Sequence, residues 1–105
     1  MADYNAMALV PTSNGSRYLQ QLCKHWSHTL AVEFTAERGK VVFPKNARGA
    51  THPEDALTTF EALSEALLIR IEASSDEQLD GLKAAVARHL DQFAFREAPL
   101  HFDWR

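Results

Sequence analysis

A chain of 105 residues, 46% hydrophobic and 24% charged, has the dimensions of one globular domain and no room for a second. At this length about two-thirds of the unfolded surface is buried on folding, and no apolar run approaches the roughly 20 residues of a membrane span, so disorder, a collagen-like rod and a membrane location are excluded. Eleven basic against fourteen acidic residues give a net charge of −3 with no basic run, which argues against nucleic acid as an obligate partner.

In chain order, Met1 to Asn5 hold an early acid and no basic stretch leading into an apolar one, so no secretory leader is expected and a cytoplasmic location is. Ala6 to Pro11 read as a strand, followed by a helix start at Ser13 or Ser16. Tyr18, Leu19, Leu22, Cys23 and Trp26 then form the stripe of an amphipathic helix. Beyond His28 the period becomes two: Leu30, Val32 and Phe34 alternate with less apolar neighbours, Glu37 to Gly39 supply a turn, and Lys40 to Phe43 return as the second arm of a hairpin that stops at Pro44. Pro44 to Asp55 has the composition of a loop, the longest in the chain. The segment Ala56 to Ala73 reads two ways: Leu57, Phe60, Leu63, Leu67 and Ile71 suit a helix, which propensity favours, whereas Leu67, Ile69 and Ile71 also alternate. Ser74 and Glu77 have capping-box spacing, and Leu79, Leu82, Val86, Leu90 and Phe93 define a second amphipathic helix. The tail, with Leu100, Phe102 and Trp104 at period two, is expected to be extended and packed by one side. The lone cysteine excludes an internal disulfide and suits a reducing compartment.

The string Arg17 to His28, with Leu-Cys-Lys-His-Trp-x-His inside it, together with Val32-Glu33-Phe34, Gly39, Phe43-Pro44 and the late string Ala87 to Glu97, resembles the bacterial domain-of-unknown-function family 2218 over nearly the whole chain. The resemblance implies an α+β two-layer sandwich, an antiparallel sheet with two helices on one face, in the order β-α-β-β-β-β-α of the TATA-box-binding-protein type of fold. It resolves the ambiguous segment into a hairpin of Ala56 to Ala62 and Ala66 to Ala73. It also implies a place near iron handling, because members of the family occur beside or fused to siderophore-interacting flavoproteins. The chain departs from the family's pattern in a longer loop, Asn46 to Asp55.

Cys23, His25 and His28, with His89 on the second helix and His52 in the long loop, invite a metal reading. Helix residues two apart point about 200° from each other, so Cys23 and His25 cannot share an ion, whereas His25 and His28, three apart, can. Zinc takes three or four ligands, so His89 or His101 would have to converge from distant sequence, and no Cys-x-x-Cys or His-Glu-x-x-His spacing is present. The candidate divalent-metal set is therefore His25, His28 and His89; no other cofactor is predicted.

Packing explains the same residues differently. Cys23 serves as a small buried hydrophobe, His25 and His89 border the two helical stripes, and Arg96 and Glu97 act as local ion-pair or helix-capping groups. Cys23, His25, Trp26, His28, His89, Arg96 and Glu97 together mark the candidate functional surface. Trp26, Phe93, Phe95, Phe102 and Trp104 are many large rings for two helices and a tail, which fill the helix–sheet layer or form a homodimer or partner surface. The sequence favours a small non-catalytic binding or accessory module for a protein or small molecule, with a metal-dependent or redox enzyme built on the histidines as the alternative.

Overall fold

The computed structural model of the protein describes residues 4–46 and 49–105; Met1, Ala2 and Asp3, on which the leader argument partly rests, and two residues of the long loop, Ala47 and Arg48, lie outside the described residues. Seven elements follow in the order expected: β1 (Tyr4–Pro11), α1 (Gly15–Trp26), β2 (Ala31–Phe34), β3 (Arg38–Phe43), β4 (Ala56–Ala62), β5 (Ala66–Ala73) and α2 (Asp76–Phe93). The strands form one antiparallel sheet in the order β1-β5-β4-β3-β2, so the crossover through α1 carries the chain from one edge to the other.

Register explains why the helices occupy one face. Ala6, Ile71, Thr58 and Val41 lie in one row across the sheet, and Ala8, Ile69, Phe60 and Gly39 in another; all are buried. The intervening rows, such as Met7, Arg70, Thr59, Lys40 and Glu33, point to the open face, as the two-residue period of a strand requires. Leu19, Leu22 and Cys23 of α1 and Val86 and Leu90 of α2 close the core over the inner rows.

The segment Ala56 to Ala73 is a hairpin, as the family resemblance implied and against its helical propensity. The turn brings the Leu63 N–H to the Ala66 carbonyl at 2.8 Å, and burial rewards alternation in both arms, leaving Leu63 exposed at the tip. The β2–β3 turn falls earlier than the sequence suggests. Thr35 donates its N–H to the Arg38 carbonyl at 2.7 Å, and its hydroxyl accepts from Glu37 and Arg38, so Gly39 stands inside β3. That glycine is required by packing: a Cβ there would sit 2.6 Å from Cys23 Sγ.

The cap of α2 is also one residue later than expected. Ser75, in extended conformation, accepts from the Gln78 N–H, and the Gln78 side chain returns to the Ser74 N–H at 2.6 Å, so glutamine takes the place assigned to Glu77. The amide of Gln78 also donates to the Glu54 carbonyl, tying the long loop to the helix start.

After α2 the tail runs extended beside β1. Met7 and Arg105 exchange both backbone hydrogen bonds at 2.8 Å, covering part of that sheet edge, and Phe102 stacks on Trp104 with centroids 6.0 Å apart. The aromatic surplus is thereby largely absorbed: Phe93, Phe102 and Trp104 pack against the core, while Phe95 remains 70% exposed with the Arg96 guanidinium over its ring. Among the described residues no helix is long and apolar enough to cross a membrane.

Candidate functional site

Three elements converge on one groove of about 830 Å³: the last turn of α1, the first four turns of α2 and the β3–β4 loop. Trp26 and Phe43 form an apolar wall, their rings packed edge-to-face with centroids 5.0 Å apart. His89 lies 5.1 Å from the Trp26 ring and 5.5 Å from the His25 ring, and Phe93 lies a further 6.0 Å beyond His25. The result is a continuous run of five rings along the junction of the helices. His52 joins the groove from the loop and Arg88 from the exposed side of α2.

The local sequence explains this convergence. His25 precedes Trp26, the buried end of the α1 stripe, and so stands at its rim; His89 precedes the buried Leu90 in the same way. Where the helices meet, the two rims face each other. His89 Nδ1 donates to the Ala85 carbonyl at 2.7 Å, a bond that requires its proton on Nδ1 and leaves Nε2 for another partner.

His28 does not share the groove. It lies two residues past the end of α1 at Trp26, in the turn that leads to β2, and does not line the groove. Among the described residues no three of His, Cys, Asp and Glu are placed to hold a metal ion, so His25, His28 and His89 do not form the ligand set expected from their spacing. Cys23 turns inward as its helical position demands, is fully buried, and has its thiol pushed up to about 11 by burial.

Arg96 and Glu97 are not partners of each other. Glu97 reaches back to the β1–α1 junction, where Thr12 Oγ1 donates to it at 2.9 Å, Asn14 Nδ2 at 3.0 Å, and the Tyr18 hydroxyl completes the set. The Tyr18 and Asn14 bonds, joined by Thr12 and opposed by partial burial, hold the Glu97 carboxyl below the usual carboxylate range. Tyr18 is raised by the same bond, by burial and by the nearby negative charge. Sequence reading missed this cluster because its members lie 79 to 85 residues apart; a buried tyrosine with its hydroxyl in need of an acceptor was the signal available.

A second concavity, of about 530 Å³, lies on the open sheet face. Across the strands Arg38 stands opposite Glu61 and Lys40 opposite Glu33, which leaves Arg70 as the lining charge with no acidic residue opposite it.

The fold is similar to that in the NMR structure of PA4090 from Pseudomonas aeruginosa, with a TM-score of 0.73 and 26% identity over 97% of this chain and 95% of that one. A comparison with curated proteins finds no match. The model of the family described as an uncharacterized protein conserved in bacteria covers residues 7–105, both helices and the tail included. The chain belongs to that family, DUF2218.

Proposed function

We propose that the protein is a small binding or accessory module that holds a small molecule in the groove between α1, α2 and the β3–β4 loop. The observation that carries this reading is the pairing of His25 with His89 at 5.5 Å beside the Trp26 ring. His25 is exposed and His89 half-buried, so neither ring is consumed by the core, and both line the groove. Paired imidazoles bordering an apolar wall are what a ligand cleft uses, and the groove volume falls in the roughly 300–1,000 Å³ range of such clefts. We extend the proposal to a cytoplasmic role close to iron handling, which is what the family resemblance implies.

Fragment screening by amide chemical-shift mapping tests the reading. Binding fragments are expected to move the signals of His25, Gly81 and His89 and to leave Thr12 and Asn14, at the other end of α1, unmoved. A diverse fragment set that never perturbs the groove would overturn it.

A further inference from the structure

We propose that β2 pairs with β2 of a second copy of this chain, antiparallel about a two-fold axis through Val32. The two edges of the sheet are not equivalent. At β1 the C-terminal tail supplies a neighbour, through the paired backbone bonds of Met7 and Arg105, whereas among the described residues no backbone bond from outside the sheet reaches Ala31 to Phe34. Bonds from β2 to β3 alternate along the strand. The Thr35 N–H meets the Arg38 carbonyl at 2.7 Å, and the register carries that pairing on to Glu33 with Lys40 and Ala31 with Val42. The N–H and C=O groups of Val32 and Phe34 therefore face away from the sheet, as a strand-pairing edge requires.

The side chains select the occupant. Leu30, Val32 and Phe34 share the helix-side face; Leu30 and Val32 are half-buried and Phe34 is 40% exposed, so an apolar row is left unfinished at the edge. A two-fold axis through Val32 completes it, with Val32 against its counterpart and Phe34 of each copy against Leu30 of the other, the self-complementary patch that a symmetric dimer needs. Val32 exchanges both backbone bonds with its counterpart, and each Phe34 N–H donates to the Leu30 carbonyl of the other copy. Charge favours this register over the neighbouring one. An axis through Glu33 would set the two Glu33 carboxylates directly opposite each other, whereas at Val32 each Glu33 lies opposite Ala31 of the second copy and keeps Lys40 as its neighbour within its own sheet.

Sedimentation velocity from micromolar to millimolar concentration reads the association. A monomer–dimer equilibrium is expected, and as the dimer fills, hydrogen exchange at the Val32 and Phe34 amides should slow at least tenfold while that of Glu33, already bonded to β3, stays as it is in dilute protein. Substitutions at the exposed Ala31 test the register, with the fold of each variant checked by its amide spectrum. Ala31→Glu, set against Glu33 of the second copy, is expected to weaken the dimer at least tenfold, and Ala31→Lys to tighten it severalfold. A chain that stays monomeric at millimolar concentration overturns the proposal. So does a dimer that responds to the two Ala31 variants alike, or one whose Val32 and Phe34 amides exchange as freely as in the monomer, because the contact then lies on another surface.

Discussion

Glu97 accepts a hydrogen bond from the Tyr18 hydroxyl across 79 residues of sequence, and so fastens the start of the C-terminal tail to the first turn of α1. Thr12 and Asn14 donate to the same carboxylate, and the Asn14 N–H is in turn received by Thr12 Oγ1 at 3.1 Å. Asn14 holds the N-cap position of α1 without capping it through its side chain, because that side chain is engaged with Glu97. Tyr18→Phe removes one donor from a charged acceptor while keeping the buried ring, and is expected to cost about 1–2 kcal/mol in urea unfolding.

The same cluster sets a pH window. Because the folded-state pKa of Glu97 is lowered, its contribution is complete above the ordinary carboxylate range and is lost as pH falls through the depressed value. Tyr18 has the opposite sign: its raised folded-state pKa favours the neutral phenol, so that contribution is present below about 10 and is lost as pH rises beyond it. Melting temperatures of wild type and Glu97→Gln from neutral pH downward test the acid arm. The wild type should lose more stability on acidification than the variant, and parallel curves would refute the link.

Cys23 and Gly39 make a second coupled pair. Gly39→Ala places a methyl 2.6 Å from the Cys23 sulfur in a closed core, an overpacking expected to cost about 1–3 kcal/mol. In a Cys23→Ala background the obstruction is gone, and the next neighbours of the new Cβ, Leu19 atoms at 3.6 Å, are at ordinary contact distance. The double variant should therefore be more stable than the sum of the single changes predicts, as read by a double-mutant cycle. The thiol should also resist alkylation in the native state at neutral pH and react only on unfolding.

What the sequence reveals here depends on how local the responsible physics is. The helical stripes of α1 and α2 are local periodicities and are visible as such. The β4–β5 hairpin is not, because Leu57, Phe60, Leu63, Leu67 and Ile71 satisfy a helical period until a turn at Leu63 to Ala66 interrupts it; family likeness, rather than pattern, resolves it. Gly39 looks like a turn residue until the sulfur packed against it is known. His25 and His89 could be placed at the rims of their stripes from sequence, but their meeting depends on how the helices cross. Helix spacing suggests His28 as their companion, but His28 falls in the turn after α1 and does not line the groove. Glu97 belongs to the candidate surface, but local pattern offers it only Arg96 or the helix end, whereas its partners are at the far end of the chain.

Thr58 is a stability liability in the core. Its hydroxyl is fully buried on the inner face of β4, where Val41 and Ile71 are its register partners, and it has no hydrogen-bond partner. Thr58→Val replaces the unpaired hydroxyl by a methyl of similar size. A gain of about 1 kcal/mol is expected, or about 4–8 °C in melting temperature for a domain of this size. A loss of stability would show that the hydroxyl finds a partner in solution.

Gly81 sets stability against binding. In the interior of α2 a glycine costs about 0.5–1 kcal/mol relative to alanine, and here no protein atom within 4 Å of the missing Cβ demands it. The fold alone would favour alanine, whereas a ligand lying against the helix would favour glycine. Gly81→Ala is therefore expected to raise the unfolding free energy by that amount while weakening the binding of groove fragments severalfold, because Gly81 lines the groove and the added methyl takes up open space there. Chemical denaturation and shift titration on the same preparation read both effects. A variant that is more stable and binds as tightly as wild type would show that ligand does not approach this part of the helix.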